Sequence, residues 1–357
     1  MHTETVNLKE NSYPILIGEG LTNSPDVVAD YIVGNDVLIV TNEVVAPLYL
    51  EKITKLFDDK NCLSYVLADG EEQKKLKTVH KIIDFLLDAG FGRDATLVSL
   101  GGGVVGDITG FTASVFMRGV SFIQIPTTLL AQVDASVGGK TGVNHALGKN
   151  LIGSFYQPKC VVCDSQFLPS LTKKDYLCGL SEVIKYGLIK DAGFFEWLEN
   201  NVSEIIALES DTIHQMIQKS CKIKADIVSQ DEKEHSVRAL LNFGHTFGHA
   251  IEASHGFGKW HHGEAVAVGM VLASQLSLMM SWITENDVAR IRTLLAAFDL
   301  PLELPDVSFE QLTNAIQKDK KIENKNIQLV LLRSIGEAVL TTDYPKDQLD
   351  RLLRIER

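Results

Sequence analysis

Short apolar runs of strand length alternate with helix-length stretches through the first third of this 357-residue chain. No other feature limits the possible folds as much. Residues 37–41 (VLIVT), 64–67 and 96–100 (TLVSL) read as buried strands; 46–57 and 78–89 (TVHKIIDFLLDA) read as helices. Parallel strands need a crossover of a dozen or more residues, usually a helix, and this spacing supplies one. The strand runs are nearly continuous in apolar residues, as strands covered on both faces must be. The expectation is an α/β fold with a mostly parallel sheet between helices.

After about residue 171 the pattern changes. Helical periodicity dominates at 176–189, 194–208, 212–230, 240–253, 263–280 and 285–298, and an apolar run at 327–332 reads as an isolated strand. The length suits about two domains. The boundary is expected near 170, with an α/β domain over 1–170 and a mainly helical domain over 171–357. No internal repeat or low-complexity stretch is evident.

Several classes are excluded early. Hydrophobic residues make up 45% and charged residues 22%, so the chain is neither wholly disordered nor fibrous. Lys and Arg number 34 against 46 Asp and Glu, a net charge of −12, which argues against nucleic acid held by a broad basic surface. A local basic cluster for a small anion stays compatible with that balance. The polar start MHTETVNLKENS has no apolar core of a signal peptide, and five scattered cysteines do not make a disulfide scaffold, so a cytoplasmic protein is expected. Cys160 and Cys163 have CxxC spacing but lie in an apolar run, where two buried strand cysteines are the plainer reading than a redox pair. Residues 265–283 carry no charge, yet include Gly269, Ser274, Gln275, Ser277 and Ser281 and have no basic flank. A helix buried in a protein core, not a membrane span, is expected there.

Gly is three times as common as Pro, 27 against 9, so the placement of the glycines matters. Gly101-Gly102-Gly103-Val104-Val105-Gly106-Asp107 follows the 96–100 strand and opens a helical pattern over 107–114. Glycines at such a turn let a pyrophosphate approach the N–H groups of a helix N-terminus. The alternative is a tight turn made for packing. No acidic residue ends a strand about 20 residues on, where a ribose partner is expected; the chain reads IQIPTT at 123–128 instead. A second glycine-rich stretch, 134–150, holds Asp134, Lys140, Asn144, Lys149 and Asn150. It does not match a P-loop, and reads as a flexible polar loop for phosphate or carboxylate, or simply as a solvated loop.

Five of the ten histidines fall within 245–262: His245, His249, His255, His261 and His262. His245 and His249 are four apart, on one helical face. Neutral imidazoles from several segments suit a zinc-type site, and Glu182, on an otherwise apolar helix, would supply a carboxylate. Helix caps and satisfied core histidines are the competing reading. The residues alone do not choose between His249 and His262 as ligand.

Longer motifs then join these pieces. They are 69–74 (DGEEQK), the 101–107 turn, 116–119 (FMRG), 125–140 (IPTTLLAQVDASVGGK), 179–187 (GLSEVIKYG), 238–252 (RALLNFGHTFGHAIE), 262–267 (HGEAVA) and 319–321 (DKK). Together, in order, they resemble the 3-dehydroquinate synthase family of sugar phosphate cyclases over most of 35–335. The resemblance implies a Rossmann-like NAD-binding domain followed by a helical metal-binding domain. It implies Zn2+ or Co2+ held by Glu182, His245 and His262, leaving His249 for substrate. It places NAD contacts on Asn42, Glu71, Lys74, Gly102, Gly103, Val104, Asp107, Thr127 and Thr128, with Asp134, Lys140 and Lys149 also near the cofactor. Substrate contacts fall on Arg118, Asp134, Lys140, Lys149, Asn150, Lys185, Lys224, Arg238, Asn242, His249, Lys320 and Lys321. Of these, Lys140, Lys185, Arg238, Asn242 and His249 are implied to be catalytic. A homodimer is implied too, with Arg118 reaching the neighbouring subunit.

The implied substrate is 3-deoxy-D-arabino-heptulosonate 7-phosphate, and the products are 3-dehydroquinate and phosphate. The implied course is transient oxidation by NAD, phosphate elimination, re-reduction, ring opening and aldol closure, which makes a lyase. The substrate phosphate itself can take the proton. The alternatives are another cyclase, of the 2-deoxy-scyllo-inosose or epi-valiolone synthase type, or a metal-dependent alcohol or glycerol dehydrogenase. A non-catalytic binding protein has no reason to keep Glu182, His245 and His262 together.

Overall fold

A computed structural model describes residues 1–255, 260–319, 322–323 and 326–355. It divides into two compact units: residues 1–171 with 213–233, and residues 172–212 with 234–357.

The first unit is built on a seven-stranded sheet. Its strands are β1 (His2–Val6), β2 (Tyr13–Gly18), β3 (Asp36–Asn42), β4 (Asn61–Leu67), β5 (Thr96–Gly101), β6 (Ser121–Pro126) and, after a separate hairpin of β7 (Lys140–His145) and β8 (Gly148–Phe155), β9 (Val161–Asp164). The spatial order is β1-β2-β9-β6-β5-β3-β4, and every pairing except β1–β2 is parallel. Successive side chains of a strand point to opposite faces. Leu38 and Val40 therefore join one buried cluster and Val37 and Ile39 another. The first cluster packs on Val79, Ile82 and Leu86 of one helix and on Val105, Ile108 and Phe111 of another; the second holds Ile53, Phe57 and Phe167. Both faces of the sheet are covered, as the apolar runs require. The chain is an α/β protein.

The helices depart from the sequence pattern in instructive places. Short α1 (Asp26–Ala29) precedes β3. The stretch 46–57 is not one helix but a wide turn at Ala46–Leu50, then α2 (Glu51–Thr54), then a 3-10 turn. α3 spans Leu76–Asp88, and α4, Gly103–Val115, begins four residues before the expected 107. The polar stretch 134–150 is no flexible loop: 140–155 forms the β7–β8 hairpin. Its Gly142 and Gly153 face each other so closely that a Cβ on Gly142 would meet the Ile152 carbonyl at 2.6 Å. Polarity and glycine content hid this pairing, since such residues have low strand propensity.

The second unit starts with α5 (Lys173–Lys190). The 194–208 pattern splits at Asn201 into α6 (Ala192–Asn200) and α7 (Val202–Ile206). Next comes α8 (Ser210–Gln230), whose residues from 213 onward belong to the first unit. A 3-10 turn at Val237–Asn242 and the left-handed Gly244 (φ +79°) break the 240–253 pattern before α9 (His245–His255). α10 (His262–Met279), α11 (Glu285–Ala297) and α12 (Phe309–Asp319) follow. Two small hairpins come next, β10 (Ile322–Glu323) with β11 (Asn326–Ile327) and β12 (Leu329–Ser334) with β13 (Glu337–Thr341), and then α13 (Lys346–Ile355). The apolar run near 330 is thus half of a hairpin and not isolated. Residues 262–279 lie on a buried helix, and no helix among the described residues is long and apolar enough to cross a membrane. The five cysteines are free, and Cys160 and Cys163 are buried at β9, in line with the plainer reading.

Candidate active site

Glycines set the geometry of the histidine cluster. A Cβ on Gly244 would meet Met270 Cγ at 2.8 Å, and one on Gly248 the Ala265 carbonyl at 3.1 Å. Gly269 lies so close to the Gly244 carbonyl that only a glycine fits there. α9 and α10 can therefore approach backbone to backbone, which carries His245 and His249 to the His262 end of α10. Ring centroids lie 5.5 Å apart for His245–His249 and 5.1 Å for His245–His262. The start of α10 is fixed twice. Glu264 Oε2 accepts from the His261 N–H at 2.9 Å, and the Gly263 N–H donates to Cys178 Sγ at 3.0 Å.

Glu182 meets this cluster from α5. It is fully buried, and its Oε1 lies 3.4 Å from His245 Nε2 and 3.6 Å from His262 Nε2. Lys185, one turn on and 1% exposed, forms an ion pair with the other oxygen. Ligand atoms of Glu182, His245 and His262 all lie within 4.8 Å of one another; so do those of His249, Glu252 and His262. Burial pushes the His245 imidazole well below its ordinary value, against the pull of Glu182. Burial also disfavours charge on His262, yet hydrogen bonds to Glu182 and Glu252 outweigh it and raise its pKa to about 9. Arg238, on the 3-10 turn before α9, is 1% exposed, and Asn242 Nδ2 donates to Glu234 Oε1 at 3.2 Å.

The first unit holds the other expected group. β5 ends at Gly101, Gly102 caps α4 and Gly103 is its first residue. A Cβ on Gly102 would meet Thr128 Cγ2 at 3.2 Å, and one on Gly103 the Ala135 Cβ at 3.2 Å. The Thr127 N–H donates to the Gly101 carbonyl at 3.0 Å, which holds the β6 end beside the turn. Val104 is half-buried in the first turn of α4. Buried Lys74 pairs with Asp107 at 2.5 Å, and burial raises the Asp107 carboxyl despite that lysine. Glu71 Oε1 accepts from Asn144 Nδ2 at 2.7 Å, and Asn144 Oδ1 accepts from the Asn150 N–H at 2.8 Å. Asn42, at the end of β3, donates to Asp69 at 2.6 Å.

The substrate-type residues divide between the units. Lys224, on α8 and 5% exposed, donates to the carbonyl and carboxylate of Asp134 at 2.6 and 2.8 Å. Lys140 opens β7 and Lys149 is the second residue of β8, and the next residue, Asn150, takes a left-handed φ of +54°. Arg118 is exposed, in a left-handed turn with Met117. Lys320 and Lys321 lie outside the described residues. The structure sets Asn144 of the polar stretch on Glu71, and adds residues that the pattern did not single out: Glu252 behind His262, Glu234 on Asn242 and Cys178 at the start of α10. Glu252 stands seven residues after His245, so helical spacing alone could have placed it on the same face.

Two family profiles match end to end. Residues 64–178 match the one described as 3-dehydroquinate synthase N-terminal, and 179–322 the one described as 3-dehydroquinate synthase C-terminal. The chain belongs to the 3-dehydroquinate synthase family. A 3-dehydroquinate synthase of Shewanella pealeana is 50% identical over 350 residues, 98% of each chain. Among solved structures, a 2-deoxy-scyllo-inosose synthase complexed with carbaglucose-6-phosphate, NAD+ and Co2+ superposes with a TM-score of 0.91 at 25% identity, over 100% of both chains. The 2-epi-5-epi-valiolone synthase of Streptomyces hygroscopicus, with NAD+ and Zn2+ bound, gives 0.88 at 28% identity, over 98% of this chain and 97% of that one. Family membership makes this chain an enzyme, a dehydroquinate-forming synthase of the lyase class.

Proposed function

We propose that the chain converts 3-deoxy-D-arabino-heptulosonate 7-phosphate to 3-dehydroquinate and phosphate, with NAD and one divalent zinc or cobalt ion per subunit. The observation that carries this reading is buried Glu182 facing His245 and His262, with Lys185 beside it, in a chain of this family.

The donor sets fit both groups. A carboxylate and two imidazole nitrogens are a common catalytic set for zinc-type ions and leave a position open for substrate. Their ligand atoms already lie within 4.8 Å of one another. The Gly102–Gly103 turn sets bare backbone at a helix N-terminus, as a pyrophosphate needs, and a Cβ on either glycine would crowd Thr128 or Ala135 at 3.2 Å. When bound, NAD supplies a reversible hydride acceptor, and the metal a Lewis acid for a substrate hydroxyl.

The chain's own residues do the rest. Glu71, Lys74, Asp107, Thr127 and Thr128 frame the cofactor turn, and Asn42 closes its edge. Lys140, Lys149, Lys224 and Arg238 are the cations for a substrate carrying a carboxylate and a phosphate. Lys224 is held ready by Asp134. Asn242, Asn150 and His249 offer neutral polar groups for hydroxyls. Lys185, tied to Glu182, keeps a buried positive charge beside the reacting end of the substrate. Arg118, exposed on a left-handed turn, is the residue for a second subunit, in a cytoplasmic homodimer.

The test is phosphate release from the heptulosonate phosphate, with and without NAD and a chelator. Phosphate and dehydroquinate are expected together, only with both NAD and metal, and without net build-up of NADH absorbance. No phosphate release would refute the reading. Turnover of glucose 6-phosphate or sedoheptulose 7-phosphate instead would point to the sister cyclases, and steady NADH formation from an alcohol to a dehydrogenase.

A further inference from the structure

His262 has a carboxylate at each of its two nitrogens. Nε2 lies 3.6 Å from Glu182 Oε1, and Nδ1 lies 3.6 Å from Glu252 Oε2. Glu252 is 6% exposed, so this carboxylate sits where an unpaired charge is costly. Two overlapping triads share the ring, one with Glu182 and His245, the other with His249 and Glu252. One imidazole cannot turn both nitrogens to a single ion. An ion among Glu182, His245 and His262 would be held by Nε2, the nitrogen that faces Glu182, and Nδ1 would be left to carry the ring proton toward Glu252. His245, His249 and Glu252 stand at i, i+4 and i+7 of α9, one helical face. The helix that brings one ligand to the ion thereby also brings the group behind another.

We propose that Glu252 is a positioning residue for the metal site: it accepts the Nδ1 proton of His262, so that Nε2 is the free, outward-facing donor. The inference rests on the metal reading above. A carboxylate behind a ligating histidine fixes its tautomer and orientation and makes it a stronger donor, and loss of such a partner typically weakens metal binding about 10–100-fold. Glu252 does not touch the ion, so its removal should loosen the site without abolishing it.

The test titrates metal-free full-length protein with Co2+, reading the dissociation constant and the visible ligand-field spectrum, for the unaltered chain, Glu252→Gln, Glu252→Ala, His262→Ala and the double variant Glu252→Ala with His262→Ala. Glu252→Gln keeps shape and an acceptor oxygen, and its circular dichroism and thermal unfolding check the fold. Glu252→Ala is expected to weaken Co2+ binding about 10–100-fold and to shift the spectrum, with Glu252→Gln recovering part of the affinity. In a His262→Ala background, Glu252→Ala should cost nothing further. Unchanged affinity and spectrum in folded Glu252→Ala would overturn the inference, as would a full effect persisting without His262. Those outcomes leave the metal reading intact, because the unaltered chain still binds. Failure of the unaltered chain to bind Co2+ overturns both.

Discussion

Glu182 is the residue on which the site turns. A fully buried carboxylate needs partners, and Glu182 has Lys185 one turn on along α5 and the Nε2 atoms of His245 and His262 opposite it. Glu182→Ala and His245→Ala are each expected to lose bound metal and to lower activity about a thousandfold or more, the several kcal/mol that a Lewis acid contributes. Metal analysis of the purified variants beside phosphate-release rates checks this; full activity without metal would contradict it. A second residue-scale effect concerns alkaline stability. Burial pushes the Cys62 thiol up to about 11, the Cys178 thiol to about 12 and the Tyr344 hydroxyl to about 12. In the unfolded chain the thiols lose their protons near 9, so above that pH the unfolded state binds fewer protons than the folded one. Stability from these groups is complete below about pH 9 and is lost as pH rises toward their folded values. Urea midpoints should fall from about pH 9 upward; a flat profile would show that these groups ionise freely in the fold. The histidines, Glu182 and the lysines were all legible as types in the sequence. Glu252 was legible only by its spacing from His245, because a lone acid on a helix usually faces water.

At the scale of elements, the α9–α10 contact decides whether the cluster exists. Gly244 has a left-handed φ of +79°, and a side chain there would press on Met270 and Val266. Gly244→Ala is expected to cost about 2–4 kcal/mol, from left-handed strain plus overpacking, and to weaken metal binding as His245 moves. Thermal unfolding and metal content together check it; a stable variant with full metal would show that the helices can part without consequence. The β7–β8 hairpin carries a different lesson. Its residues read as a polar loop because Gly, Lys, Asn and His interrupt the apolar alternation, and the strands pair with Gly142 opposite Gly153, where a Cβ would meet the facing backbone. The changes of helix type within 46–57 and the interruptions at Asn201 and Gly244 were likewise lost in periodicity, which records apolar spacing and not backbone breaks.

On the scale of the whole molecule, α8 matters most. Its residues 213–233 belong to the first unit, where Lys224 holds Asp134, the Asn7 N–H donates to Ser229 Oγ, Gln218 Nε2 donates to Glu4 Oε1, and Cys221 Sγ donates to the Gln132 carbonyl. A fragment of residues 1–171 lacks this helix. It should bind a hydrophobic dye and unfold without a sharp transition, as measured by fluorescence and near-ultraviolet dichroism; cooperative unfolding at the full chain's midpoint would show that the helix is dispensable. Several outcomes were set by the sequence alone. Strand–helix alternation with runs buried on both faces leaves a parallel sheet as the workable solution, and a glycine turn after a strand marks where the next helix begins. Joint motifs across most of the chain identify the family. Tertiary structure alone decided which groups meet: that Glu182 faces Nε2 of two histidines, that Glu252 stands behind one of them, and that α8 completes the first unit. Periodicity names the face on which a side chain lies, but not the face packed against it, and a catalytic centre is made of such pairings between segments far apart in the chain.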